Sequence, residues 1–221
     1  MKQTTPNFRR YRTHDHLFVG AQRLLERLSA HVPSLKSNVA SPAAMLDEPT
    51  LSAKELKKSQ GLMRVNHSGE VCAQALYIGQ SLTARSDSIK QTLTQAAQEE
   101  VAHLHWCHTR LQELNSRTSF LNPLWFTGSL CIGIGAGLFG DKWSLGFLAE
   151  TENQVYQHLS SHLEKLPKQD LKSRAIVKQM RDDEAKHALT AYELGGVHFK
   201  TPIKIGMKMS AKVMTSLSYY I

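Results

Sequence analysis

The chain has 221 residues, enough for one domain with a sizeable core, and aromatic residues make up only 7% of it. Ala, Leu, Gln, Glu and Lys dominate the middle and no run alternates β-branched residues, which argues against a β fold and for an all-α one. The formal charge of +8 excludes neither nucleic acid nor an anionic membrane surface as a partner, while three cysteines (Cys72, Cys107, Cys131) without a C-x-x-C pair argue against a disulfide framework or a cysteine zinc site and for a reducing compartment.

In chain order, residues 1–15 read as a tail. Within residues 1–12, Lys2, Arg9, Arg10 and Arg12 with no acid leave an organelle transit peptide open, but no apolar stretch follows them as a secretory signal requires. Leu17, Val19, Ala21, Leu24, Leu25 and Leu28 predict a short amphipathic helix. Residues 32–50, with Pro33, Pro42 and Pro49, predict a linker. Ser52 and Glu55 form a capping box that opens a long first helix toward about Arg85. A break at Ser86-Asp87-Ser88 starts a second helix to about Arg117. From Thr118 to Gly140 there is no charged residue. Asp141 is placed to cap a third helix to about Leu166, and a fourth runs from about Leu171 to Leu194 before Gly195-Gly196 stops it. Residues 201–221 are apolar with spaced lysines (Lys204, Lys208, Lys212), the pattern of one more amphipathic helix. The expected organisation is therefore an N-terminal segment over 1–50, a bundle over 51–196 with a crossover over 118–140, and a basic C-terminal helix over 197–221.

The second and fourth helices each carry a Glu-x-x-His, Glu100 with His103 and Glu184 with His187. Residues three apart lie about 60° apart on a helix and about 4.5 Å apart along it, so each pair can hold one metal ion from one face. One such motif is ordinary surface chemistry. Two copies, each on the apolar stripe of its own helix (Leu93, Ala96, Cys107, Leu111; Ile176, Val177, Met180, Ala191), are not, because buried carboxylates and imidazoles need compensation. Four-helix carboxylate sites add one glutamate from each of the other two helices. Glu70 qualifies on the first helix, sharing a face with Met63, Ala73 and Tyr77. On the third, Glu150 and Glu152 differ by about 200°, so only one is expected to face inward. Glu152 lies on the stripe Leu145, Leu148, Val155, Leu159, and Glu150 does not. The acids before each motif, Glu99 and Asp183, are candidates to orient the imidazoles, as is His67, one turn before Glu70. His105, His158 and His162 read as exposed or packing residues. A carboxylate-rich set without thiolates suits iron or manganese.

Arg64-Val-Asn-His-Ser-Gly-Glu70, Ala75-Leu-Tyr-Ile-Gly-Gln80, Gly146-Phe-Leu-Ala-Glu-Thr-Glu152 and Met180-Arg-Asp-Asp-Glu-Ala-Lys-His187 together resemble the demethoxyubiquinone hydroxylase family over about residues 50–196. The longer N-terminus resembles its bacterial form. The resemblance implies a ferritin-like four-helix bundle with two iron ions held by Glu70, Glu100, His103, Glu152, Glu184 and His187. It implies dioxygen as co-substrate and hydroxylation of the ring of a polyprenyl quinol in ubiquinone synthesis. An isoprenoid quinone is the implied substrate, and other ubiquinone-biosynthesis proteins are implied partners. The electron source is left among a reductase, the quinol and NADH. Gly135-Ala-Gly-Leu-Phe-Gly140 matches G-x-G-x-x-G, but no βαβ unit surrounds it, so close helix packing is expected there rather than a dinucleotide.

The uncharged stretch is long enough to suggest a spanning helix. A single crossing would put the first two helices and the last two on opposite sides of a bilayer, and the six ligands could not meet. The segment is therefore expected to dip into or lie along one leaflet, anchored by Leu124, Trp125, Phe126, Leu138 and Phe139, with Pro123 and its five glycines breaking a simple helix. The basic C-terminal helix would lie beside it, at the cytoplasmic face of a bacterial inner membrane, giving an isoprenoid substrate entry from lipid. Two other functions fit the ligand set: a ferritin-like hydroxylase of transfer RNA, and a non-enzymatic iron-storage or iron-sensing protein. The uncharged stretch argues against both, and no nucleic-acid partner is expected. A homo-oligomer is left open.

Overall fold

The structure, a computed structural model, describes residues 39–47 and 50–221. The tail, the short helix near Leu17–Leu28 and residues 32–38, 48 and 49 of the linker lie outside the described residues. Six helices follow: α1 (Ala53–Thr83), α2 (Asp87–Glu113), α3 (Asn122–Leu138), α4 (Asp141–Lys165), α5 (Leu171–Glu193) and α6 (Thr201–Ser218). Helices α1, α2, α4 and α5 form the four-helix bundle, with α3 laid along α1, and α6 packed across α1 and α4. The core gathers Met63, Trp106, Leu111, Leu159, Ile176 and Met180 from all four bundle helices.

The capping box at Ser52 forms as expected: Glu55 Oε2 accepts from Ser52 N at 3.0 Å while Ser52 Oγ accepts from Glu55 N. Because α2, α3, α4 and α6 surround α1, it buries polar as well as apolar residues, among them Asn66, Gln74 and Gln80. That is why its sequence shows no clean stripe. Helix α2 ends at Glu113, four residues before the expected Arg117. Asn115 adopts a left-handed φ of 52°, and Ser116 N donates back to Leu111 O at 2.8 Å, which closes the helix end. At the far end of the bundle, the fully buried Arg110 meets Asp170 Oδ1 at 3.0 Å, and the same oxygen accepts from Ser173 N to cap α5.

Asp141 does not cap α4. Gly140, at φ 99°, makes the turn into that helix, and the Asp141 carboxylate instead accepts from Arg85 N and Ser86 N at 2.9 and 3.0 Å. It therefore fixes the α1–α2 turn. Of the breaks expected within the uncharged stretch, the one at Gly140 forms, whereas α3 runs unbroken through Pro123, Gly128, Gly133, Gly135 and Gly137. Pro123 sits in its first turn, where its missing N–H costs nothing. Gly133 faces α1 so closely that a Cβ there would lie 2.3 Å from Leu76 O, and a Cβ on Gly79 would lie 2.4 Å from Leu130 O. These glycines allow two backbones to touch; they do not interrupt the helix. No helix among the described residues is long and apolar enough to cross a membrane.

Helix α6 is held at both ends. Lys204 Nζ meets Glu150 Oε2 at 2.7 Å, and Arg64 donates to Tyr219 O, also at 2.7 Å. Of Glu150 and Glu152, only Glu152 reaches the interior of the bundle beside Glu184 and His187. Glu150 is buried too, but on the opposite side of α4, because α6 covers that side.

Candidate metal centre

Each bundle helix brings one stripe residue or pair to the same level of the interior. Glu70 comes from α1, Glu100 and His103 from α2, Glu152 from α4, and Glu184 and His187 from α5. All but His187 are fully buried. Their donor atoms fall into two groups within 4.8 Å: Glu70, Glu100, His103 and Glu184 in one, Glu152, Glu184 and His187 in the other. His103 Nδ1 lies 2.9 Å from Glu100 Oε2 and 3.4 Å from both Glu70 Oε2 and Glu184 Oε1. His187 Nδ1 lies 3.3 Å from Glu184 Oε2 and 3.4 Å from Glu100 Oε1. Glu100 and Glu184 thus stand between the two histidines.

The far ring nitrogens meet the acids that precede the motifs, but crosswise. Asp183 of α5 faces His103 Nε2 of α2 at 3.5 Å, and Glu99 of α2 faces His187 Nε2 of α5 at 2.9 Å. A residue one position before an inward glutamate is rotated by about 100° and therefore points toward the adjacent helix. Gln179 and Lys186 hold Asp183, and Gln95 holds Glu99. His67 is not brought to the cluster: its contacts are Asn122, at 3.3 Å, and the ring of His108.

Burial drives the carboxyls of Glu70 and Glu152 well above their usual range, and their carboxylate neighbours add to it. Burial also opposes charge on Glu100, but His103 and His187 outweigh it and hold that carboxyl below its usual range. His187 is pushed up to about 12, its carboxylate partners overcoming desolvation. Four carboxylates in a dry interior need positive charge. Glu70 Oε2, Glu100 Oε1 and Glu152 Oε2 are buried with no hydrogen-bond partner among the described residues. Oxygen-rich donors with two imidazoles fit a pair of divalent transition-metal ions.

A cavity of about 900 Å³ reaches this cluster at Glu70. Its walls come from α1, α3, α4 and α6, and are mostly apolar, with Leu76, Phe147, Ile132 and Met214 among them. Trp125, expected as a surface anchor, is half-buried; it lines the cavity and donates to Ser218 Oγ at 3.0 Å. Leu124, Leu138 and Phe139 are 60, 65 and 76% exposed, and Phe126 is half-buried.

The chain matches the family described as "Ubiquinone biosynthesis protein COQ7" over residues 57–218. It belongs to the COQ7 family. Among its relatives, "3-demethoxyubiquinol 3-hydroxylase" of Chromobacterium violaceum is 60% identical, covering 84% of this chain and 90% of the relative. Proteins of that name from Nitrosomonas europaea and Stutzerimonas stutzeri are 51 and 49% identical, each over at least 94% of both chains. Among solved structures, a dodecameric thioferritin, the bacterioferritin-related protein from Bacteroides fragilis, superposes with a TM-score of 0.52 at 16% identity, covering 62% of this chain and 84% of that one. That likeness establishes a ferritin-like fold for this COQ7-family chain.

Two features of the site escaped the sequence reading. Tyr77 donates a hydrogen bond to Glu152 Oε1, although its place on the face of Glu70 was visible. His162, buried, donates from Nδ1 to Asn66 Oδ1 at 2.7 Å and lies 4.0 Å, ring to ring, from His158, which lines the cavity. Burial lowers His158 to about 4 and His162 to about 2, with Lys165 contributing to both.

Proposed function

We propose that this chain is a di-iron monooxygenase that uses dioxygen to hydroxylate the ring of a polyprenyl demethoxyubiquinol in ubiquinone biosynthesis. The observation that carries the reading is a buried carboxylate–histidine cluster that meets a large apolar cavity at Glu70. The relatives' shared name supplies the substrate class.

Glu70, Glu100, His103, Glu152, Glu184 and His187 would hold two iron ions, which supply the activation of dioxygen when bound. Glu99 and Asp183 fix the ring orientation of the opposite histidine and keep its Nε2 as the protonated nitrogen, so that Nδ1 is free to ligate. The bundle excludes water from the reacting centre. The cavity takes the quinol ring toward Glu70 and the isoprenoid tail between α3 and α6. Electrons come from outside the chain, with NADH as the first donor to test.

The outer faces of α3 and α6 favour lipid. Leu124, Leu138 and Phe139 on α3 and Ile205, Met209 and Val213 on α6 are exposed, flanked by Lys200, Lys208 and Lys212. The chain would thus sit on the cytoplasmic face of a bacterial inner membrane, with the mouth of the cavity turned to lipid.

Iron-loaded protein, liposomes carrying demethoxyubiquinol and isotopically labelled dioxygen, with NADH or a chemical reductant, should yield ring-hydroxylated product with one labelled oxygen. Iron-replete protein that forms no such product with either reductant contradicts the reading. Leu124→Asp with Phe139→Asp should abolish flotation with anionic liposomes while iron and helicity are kept. Flotation that persists contradicts the membrane face.

A further inference from the structure

We propose that Tyr77 is a positioning residue that decides which oxygen of Glu152 is offered to a metal ion, an inference that rests on the di-iron reading. Tyr77 is 1% exposed, and its hydroxyl donates from α1 to Glu152 Oε1 on α4. Glu152 Oε2 is buried and without a hydrogen-bond partner among the described residues. Glu70, Glu100 and Glu184 each have a histidine ring nitrogen within 3.4 Å. Glu152 has the phenol.

The difference has a chemical consequence. A carboxylate with two equivalent free oxygens can ligate through either or both, and can turn between these modes. Once a phenol occupies one oxygen, the other is the available donor. Here water cannot replace the phenol, since both residues are buried. Tyr77 also lies two turns after Glu70 on one face of α1, a spacing that a helix holds rigidly. One helix therefore carries a ligand for one metal position and the group that sets the ligand of the other.

The test uses the full chain, titrated without oxygen with Co(II) and followed by visible absorption. Tyr77→Phe keeps the ring and removes only the hydroxyl. It should retain helicity, fill the position beside Glu70, Glu100 and His103 as the unaltered protein does, and bind the second ion about ten- to a hundredfold more weakly, with a changed cobalt spectrum. Y77F with unaltered second-ion affinity and spectrum overturns the inference. Should Y77F not fold, Zn(II), which has no visible bands, reads the same contact in the native sequence. Saturation should produce a tyrosine difference band in the near ultraviolet that Glu152→Ala abolishes, and its absence overturns the inference. An unaltered protein that binds fewer than two ions removes the di-iron reading and this one with it. One that binds two, with Y77F equal to it, removes only this one.

Discussion

The pairs α1–α2 and α4–α5 carry the same chemistry: a lone inward glutamate, then a Glu-x-x-His preceded by an acid. Where they meet through α2 and α5 they are nearly equivalent, each acid serving the opposite pair's histidine. The lone glutamates differ. Glu70 lines the cavity; Glu152 does not, and accepts a hydrogen bond from Tyr77. The near-symmetry supplies a set of donors for two ions. The departure from it gives the site two unlike ends; on the proposed function the Glu70 end is the front, where substrate approaches, and the Glu152 end the back.

The largest expected effect breaks the back of the site. Glu152→Ala should lose the second metal ion and reduce turnover to background, by metal analysis and product assay. Glu150→Ala should keep both ions, because that carboxylate holds Lys204 of α6 and not the cluster. A dispensable Glu152 beside an essential Glu150 would invert the assignment.

Next come the crossed acids. Asp183→Asn and Glu99→Gln should each weaken metal binding by about ten- to a hundredfold, whereas Asp182→Asn, paired with Arg181 at the surface, should leave it alone. Equal effects at all three positions would show a general field of negative charge and no oriented pairs.

Much of this site was legible because a helix has a fixed period. The paired Glu-x-x-His motifs and the α4 stripe can be read along one helix at a time. The crossing of Glu99 and Asp183 cannot, because it depends on the register between helices. Glycines along α3 read as helix breakers, yet Gly133 answers to Leu76 on another helix, and a sequence does not say what a glycine faces. The burial of Glu150 depended likewise on α6 folding back over α4. The end of α2 was read four residues late, because its stop lies in the left-handed backbone of Asn115, which a sequence shows only as a preference.

The contrast within α3 gives a smaller effect. Gly133→Ala should cost about 1–3 kcal/mol by urea denaturation, since its Cβ meets backbone that must move. Gly135→Ala, with nothing within 4 Å, should be neutral or stabilising by up to about 1 kcal/mol. Smallest is a pH effect at the cavity wall. His158 is lowered in the folded state to about 4, so its neutral form stabilises the fold fully above the ordinary histidine range near 6.5, and that contribution is lost as pH falls toward 4. His158→Gln should flatten the stability profile of metal-free protein between those values by up to about 1.4 kcal/mol per pH unit. An unchanged slope would show that His158 titrates as it does in the unfolded chain.

The most direct test of the central claim is a metal count. Protein prepared without oxygen and saturated with ferrous iron should hold two irons per chain, and His103→Ala and His187→Ala should each lower that number while keeping native helicity. Fewer than two irons in the unaltered protein, or a count that neither histidine changes, would contradict a di-iron centre at this cluster.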